Sequence, residues 1–484
     1  MTARNQEAAG IDGTSDELLD VVVIGGGQAG LTMAWHLTRQ HLRFVVLDAA
    51  PEIGHTWSSR WDSLKLFTPA QHDALPGMPF PGPPDTYPGK DAAAGYLRAY
   101  AAAFNLPVRL DARVTGLSRT AGGFEIRTRD STLRARQVVV ATGPFQVPFV
   151  PSASQRLDDS VTQLHSAGYL NPPALPTGPV LVVGGGNSGF QIAEELAAAG
   201  RPVDLSIGAK LPVLPQRIAG RDLFWWLTRL GLMRVSLESR LGRRMSSRDF
   251  IIGSSRRRLK AAGVRFRPAV ADAGERTVSF TDGTSLDVGL VIWATGYRSD
   301  YSWIDIRGVI GGGKVVHRRG VTDVPGLYFV GLSWQHTRGS ALLGFVHDDT
   351  AHLAGRIAAH NQIGDLPSPG IQAGREAQGA EGPTTSRQVL PRAASWPGKL
   401  NQSVNQDQAV RRAALATRRP MYQRAIRSLC TSIDSLDKPA RRGNRASGGA
   451  SQGGEIDDRP GRLQSGPTGR DHVHELLRRR ETRP

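Results

Sequence analysis

An α/β fold in which two βαβ units recur within one chain is what this sequence predicts, and two observations carry the prediction. Asp20-Val21-Val22-Val23-Ile24 is a short apolar, β-branched run followed at once by Gly25-Gly26-Gly27-Gln28-Ala29-Gly30 and a helix-like segment from Leu31 to Gln40. Roughly 160 residues later Val180-Leu181-Val182-Val183 leads into Gly184-Gly185-Gly186-Asn187-Ser188-Gly189 and a helix through Ala199.

In the first unit, Phe44-Val45-Val46-Leu47-Asp48 supplies the second buried strand and ends in an acid. Gly25, Gly27 and Gly30 occupy the three positions of a Gly-x-Gly-x-x-Gly fingerprint. The first glycine permits the tight turn, the second lets backbone approach a pyrophosphate, and the third lets helix pack on strand. A pyrophosphate would sit at the helix N-terminus, where free N–H groups and the dipole favour an anion. Asp48 stands where an acid accepts from ribose hydroxyls. The unit is therefore Rossmann-like, and its repetition at Gly184, Gly186 and Gly189 implies two dinucleotides. The strand after the second fingerprint, Pro202 to Gly208, ends without a carboxylate, and Lys210 and Arg217 follow. That combination suits a 2'-phosphate and favours NADPH over NADH; the bland alternative is that both cations are solvated surface charges.

Between the units, Pro51-Glu52-Ile53-Gly54-His55-Thr56-Trp57 and Leu64-Lys65-Leu66-Phe67-Thr68-Pro69 precede an irregular Pro- and Gly-rich segment from Leu75 to Gly89. Loops of that kind line active sites. Asp91 to Phe104 reads as a helix packing Tyr96, Leu97, Tyr100 and Phe104 on one face. Phe124 to Thr128 and the run before Gln137 read as a hairpin, and Val138-Val139-Val140 ends in Ala141-Thr142-Gly143. Beyond the second unit, Leu223-Phe224-Trp225-Trp226-Leu227 and Leu230-Gly231-Leu232-Met233 read as core or tunnel lining, with interfacial membrane contact as the alternative. A hairpin turning at Asp282-Gly283 leads to Leu290-Val291-Ile292-Trp293-Ala294-Thr295-Gly296-Tyr297. Gly326-Leu327-Tyr328-Phe329-Val330-Gly331 is a last buried strand, followed by a helix from near Ser340 to about His360.

Composition excludes several functions. The 484 residues contain one cysteine, Cys430, so a disulfide framework, a Cys-x-x-Cys redox pair and a thiolate metal cluster are all ruled out within one chain, and no metal site is expected. The first 18 residues are polar, with no secretory signal, and no stretch approaches the roughly 18 apolar residues that span a bilayer, so a soluble cytoplasmic protein without a transmembrane segment is expected. Net charge is +17, about half of it from Asn361 onward in clusters such as Arg411-Arg412 and Arg478-Arg479-Arg480. That tail lacks apolar periodicity and reads as mostly disordered. A nucleic-acid arm is the alternative, disfavoured because no aromatic interleaving or binding module accompanies the charge. A tail outside selection, such as a shifted reading frame, is a third.

The paired fingerprints, together with Gly54-His55-Thr56-Trp57, Ala141-Thr142-Gly143-Pro144, Leu164-His165-Ser166-Ala167-Gly168-Tyr169, Ala294-Thr295-Gly296-Tyr297 and Gly326-Leu327-Tyr328-Phe329-Val330-Gly331, resemble the class B flavoprotein monooxygenases in both kind and order, over roughly Asp20 to His360. The resemblance implies an FAD domain over 19–170 that resumes over 299–360, an NADPH domain inserted over 171–298, a disordered N-terminus over 1–18 and a basic tail over 361–484. It assigns Gly25, Gly27, Gly30 and Asp48 to FAD, places Trp57 against the flavin ring, and makes Gln28, Ala29, Thr142 and Gly143 further candidate cofactor-binding residues. It assigns Gly184, Gly186, Ser188 and Gly189 to NADPH, and Asn187, Lys210, Thr295 and Gly296 are further candidate cofactor-binding residues. His165 and Tyr169 match the end of the family's Phe-x-Gly-x-x-x-His-x-x-x-Tyr signature and are the candidate catalytic residues, although His165 equally reads as a structural residue of the linker. Asp159 and Val161 stand where the signature has Phe and Gly, Thr68 near where many members carry Asn, and Tyr169 where the Baeyer–Villiger version ends in Trp.

The chemistry so implied is mostly the cofactor's. A C4a-hydroperoxyflavin would pass one atom of O2 to a soft nitrogen or sulfur nucleophile of a small molecule. The alternative is an NADPH-dependent flavin reductase or oxidase without oxygen insertion. A redox-sensing binding protein acting through the basic tail is the non-enzymatic reading, and a homodimer is left open.

Overall fold

The computed structural model describes residues 18–364, apart from 209–210 and 248–249. The expectations for residues 1–17, for Lys210 and for the tail from 365 onward lie outside the described residues.

Leu18–Ile24 (β1) carries four successive fully or nearly fully buried residues from Val21 to Ile24, the pattern of a parallel strand covered on both faces. Gln28–Arg39 (α1) carries the chain over to Phe44–Leu47 (β2), which pairs in parallel with β1 from Val21 opposite Phe44 to Ile24 opposite Leu47. The helix begins before Leu31 because Gln28, Ala29 and Gly30 already form its first turn. Lys90–Ala103 (α2) buries Tyr96, Leu97 and Tyr100 in the same core as Met33 and Leu37 of α1. Val108–Arg109 (β3) extends the sheet beyond β2. The hairpin expectation becomes a three-strand meander of Val114–Thr120 (β4), Gly123–Thr128 (β5) and Thr132–Val140 (β6), whose last strand lies parallel to β1.

The second sheet is all parallel. It contains Thr162–His165 (β7), Val180–Val183 (β8), Val203–Ser206 (β9), Arg265–Arg267 (β10) and Leu290–Trp293 (β11), in the order β10-β9-β8-β11-β7. Asn187–Ala198 (α3) crosses from β8 to β9. Because β7 pairs with β11, this sheet starts before residue 171, and the expected boundary at 170 falls inside it. The chain then returns to the first sheet, where Leu327–Phe329 (β12) pairs with β6.

The final helix is shorter at its start than the sequence suggested. Two single turns of 3-10 helix, Arg338–Ala341 and Leu343–Phe345, precede His347–Gly364 (α4). A Thr337/Ser340 capping box closes the first turn, and Gly344 is pressed so closely on His72 that an added Cβ would lie 1.9 Å from the His72 carbonyl oxygen. Residues 361–364, assigned to the tail, belong to α4.

The Leu223–Met233 stretch is core: Leu223, Phe224, Trp226, Leu227 and Met233 are buried against Phe67, Leu342 and Phe345. Among the described residues no helix is long and apolar enough to cross a membrane.

Candidate functional site

The two glycine loops are built alike. Gly25 has φ +111° and Gly184 φ +143°, backbone that a side chain rarely adopts, and an added Cβ would lie 2.5 Å and 2.1 Å from the carbonyl oxygens of Ala141 and Ala294. Each loop is thus wedged against the Ala-Thr-Gly turn that ends the neighbouring parallel strand, β6 or β11. A Cβ at Gly30 or Gly189 would collide in turn with the carbonyl of Gly25 or Gly184. Gly27 and Gly186 face open space instead. Within each loop, this is where a ligand can approach the main chain closely.

A groove of about 530 Å³ runs along the first loop, within the usual size of a small-molecule site. It is lined by Gly25, Gly27, Gln28, Ala29 and Asp48 at one end, by Thr142 to Gln146 along its length, and by Ala341 and Val346 just before α4. The α1 N-terminus has no side-chain cap, so its first-turn N–H groups are left for an anion. Asp48 accepts from the amides of Gly26 (2.5 Å) and Ala50 (2.8 Å), which aims its carboxylate along the loop. Trp57 lines a recess beside Gly27 and Asp48, and its indole Nε1 is buried without a hydrogen-bond partner among the described residues. An orphaned donor, an uncapped helix start and an uncrowded glycine together fit the FAD that the resemblance implies.

The second loop lacks the acid. Leu47 pairs with Ile24 and Ser206 with Val183, so the position that Asp48 holds in the first unit is held by Ile207 in the second. The strand's own carboxylate, Asp204, is buried and bound by both Arg265 (2.7 Å) and Arg267 (2.8 Å), which hold it below the usual range against the burial that pushes it up. Asn187 sits in the first turn of α3, yet its amide donates to the Phe250 carbonyl (3.2 Å) and accepts from Ile252 (2.9 Å). Its side chain therefore fixes the neighbouring segment, and the α3 start carries no side-chain cap. Arg217 is exposed in a short ladder with Asp222.

The segments that follow the two Ala-Thr-Gly turns meet at a seam. Val147–Pro148 pairs with Tyr297–Arg298, the Phe149 amide donates to the Gly296 carbonyl (2.9 Å), and Thr295 donates to the Phe149 carbonyl. Gln146 ties the first turn, donating to Thr142 and to the Gly143 carbonyl (both 2.9 Å). His165 joins from β7. Its Nδ1 accepts from the Ala167 amide (3.1 Å), so Nε2 carries the proton and donates to Gly296 (2.9 Å). Burial pushes its pKa down, the Gly296 bond opposes this, and the Arg60 charge lowers it again. Tyr169, the other candidate, lies away from the groove: it is fully buried in the second sheet's core and donates to Glu195 of α3 (2.9 Å). Burial, then the bond to Glu195, pushes its phenol up.

Thr68 is buried and donates to Asp73, which is fully buried beneath Gly344. Burial drives Asp73 up to about 7. Asp73 Oδ2 and His72 Nε2 have no partner among the described residues. Neither Asp73 nor Arg60, which bonds the Tyr297 hydroxyl 237 residues away, carried any spacing signal in the sequence.

A family model described as pyridine nucleotide-disulphide oxidoreductase matches residues 22–211. An uncharacterized CzcO-like oxidoreductase of Geobacillus kaustophilus is 44% identical over 346 residues, 71% of this chain and 99% of the relative. The indole-3-pyruvate monooxygenase YUCCA1 of Oryza sativa is 28% identical over 66% of this chain and 88% of its own length. Among solved structures, a flavin-containing monooxygenase from Stenotrophomonas maltophilia is 29% identical with a TM-score of 0.59, covering 71% of this chain and 99% of its own.

Proposed function

The chain belongs to the class B flavoprotein monooxygenase family as a relative of the CzcO-like oxidoreductases, an enzyme of FAD and NADPH, and from that premise we propose that it transfers one oxygen atom of O2 to a soft nitrogen or sulfur nucleophile of a small molecule. The observation that carries this reading is the seam. Both Ala-Thr-Gly turns converge there beside a groove with no thiol, and the one cysteine, Cys430, lies outside the described residues. A disulfide exchange would need a thiol pair that the chain does not have.

Bound FAD supplies hydride acceptance and the activation of oxygen. The chain's part is to hold and orient. In the proposal Gly27, Gln28 and the α1 N-terminus take the FAD pyrophosphate, Asp48 the ribose, and Trp57 Nε1 an acceptor on the bound ring system or its linker. Gly186 and the α3 N-terminus take the NADPH pyrophosphate, and an uncharged strand end at Ile207 leaves room for a 2'-phosphate. His165, neutral and spent on Gly296 and Ala167, fixes the Thr295–Gly296 turn, and Tyr169 ties β7's continuation to α3. Both are positioning residues in this proposal, not participants in bond making. The inserted arrangement, with the second sheet as the NADPH domain, is part of the same reading.

The test is isotopic. The FAD-loaded chain, supplied with NADPH, a panel of thioethers and tertiary amines, and ¹⁸O2, is expected to give sulfoxide or N-oxide carrying one ¹⁸O per NADPH consumed. NADPH consumption matched by hydrogen peroxide, with no labelled product across the panel, would overturn oxygen transfer and leave an oxidase.

A further inference from the structure

Arg60 is half-buried. Its Nε donates to the Thr56 carbonyl (3.0 Å) and its Nη1 to the Tyr297 hydroxyl. The guanidinium lies 5.3 Å from the centre of the Tyr297 ring and 5.9 Å from that of Phe145. Thr56 and Phe145 line the first groove, whereas Tyr297 follows directly on the turn that supports the second glycine loop. One cation therefore touches both the lining of the first groove and the residue that follows the second Ala-Thr-Gly turn. Among the described residues no carboxylate forms an ion pair with it and Nη2 makes no hydrogen bond. Taking a guanidinium partly out of water without a counter-charge is costly, so an arginine placed this way is completed by an anionic or strongly accepting group from outside the chain. Its neighbour does not compete: His165, 5.0 Å from the Tyr297 ring centre, is held neutral.

We propose that Nη2 of Arg60 donates to a phosphate or carbonyl oxygen in the nicotinamide half of NADPH, making Arg60 the positioning residue that seats this cofactor across the seam. The two dinucleotides share the phosphate chemistry that a guanidinium recognises. NADPH is the assignment because Tyr297, on the second site's turn, supplies both a hydrogen bond and a ring face to the cation. The inference rests on the two-cofactor reading and not on oxygen transfer.

Binding separates the roles. NADP⁺ is titrated into the FAD-loaded chain by calorimetry, and FAD into the apoprotein, for the wild type, Arg60→Met, Arg60→Lys and Tyr297→Phe. Arg60→Met is expected to raise the Kd for NADP⁺ by about tenfold and to flatten its salt dependence, with FAD affinity within about twofold. Arg60→Lys keeps the charge and should recover most of the loss. Tyr297→Phe removes only the tether and should cost less than about threefold. An unchanged Kd for NADP⁺ in Arg60→Met overturns the assignment. So does a loss confined to FAD, or a Tyr297→Phe variant as impaired as Arg60→Met, which would make Arg60 a hinge fastener only. A wild type that binds no NADP⁺ fails at a different point and overturns the two-cofactor reading itself.

Discussion

Asp73→Asn should change how the protein's stability depends on pH. Asp73 is fully buried, and burial, aided by the negative charge of Asp222, raises it from 3.8 to about 7 against the lowering effect of the Thr68 hydrogen bond. The groups that face it are Thr68, the neutral His72, Asp222 on the segment above, and Tyr96 of α2, whose own hydroxyl donates to the Met78 carbonyl. Because the folded-state value lies above the unfolded one, the native state binds more protons than the unfolded state between 3.8 and about 7. The associated stability is complete below the lower value and is lost as pH rises through the upper one. At about 1.4 kcal/mol per unit, the wild type should lose about 2 to 3 kcal/mol between pH 5 and 8 that the asparagine variant does not lose. The variant carries a constant cost of about 1–3 kcal/mol for its new unpaired amide, which is why the readout is the difference in slope and not the absolute stability. Urea unfolding of both proteins at half-unit steps measures it. A stability difference flat to within about 0.5 kcal/mol across that range would refute the argument that burial holds a proton on Asp73.

Gly27→Ala and Gly186→Ala should each leave a folded protein, because nothing lies within 4 Å of the added Cβ, while weakening FAD or NADP⁺ respectively by at least about tenfold; a bound dinucleotide of unchanged affinity would show that the loop does not carry it. Gly184→Ala, with its Cβ 2.1 Å from the Ala294 carbonyl oxygen at φ +143°, should instead lower stability outright, seen as a fall in thermal midpoint of the apoprotein. Tyr169→Phe removes one hydrogen bond to Glu195 and should cost about 1 kcal/mol in urea while leaving the pH profile of flavin reduction by NADPH unmoved; a shifted profile would return Tyr169 to the chemistry. Gly208→Asp places a carboxylate at the exposed end of β9, where only Ala269 lies in ordinary contact, and should raise the KM for NADPH by about tenfold relative to NADH, a preference that steady-state reduction kinetics measure directly.

What the sequence disclosed follows the range of the interactions. The glycine loops are local: three residues within six positions decide whether strand can turn into helix, so Gly25, Gly27 and Gly30 announced themselves, and so did their repeat. Asp48 was legible for the same reason. The start of α4 was not, because the residue that delays it, Gly344, is constrained by His72, 272 residues earlier in the chain. The division of labour at Asn187 was hidden likewise: its position in the motif points to the ligand, but its amide is engaged by a segment more than 60 residues on. Tyr169 matched a signature by spacing alone, and spacing says nothing about whether a ring faces a groove or a core. It is buried in the core of the second sheet together with residues such as Phe190, Ile192 and Leu205, which the chain brings in from α3 and β9.

The registers of the two units explain how nearly identical glycine geometry can serve two ligands. Strand pairing aligns Leu47 with Ser206, and the next residue is Asp48 in one unit and Ile207 in the other. In the first, the carboxylate accepts from the Gly26 and Ala50 amides, so it is oriented before any ribose arrives. In the second, the chain still carries an acid, but three residues earlier, where Arg265 and Arg267 consume it. An acid so neutralised exerts little repulsion on a phosphate. In the proposed reading the same two arginines, by pairing Asp204, leave the second site tolerant of the extra phosphate that distinguishes NADPH. On that proposal, cofactor choice lies less in the glycine loops than in where each strand puts its one carboxylate.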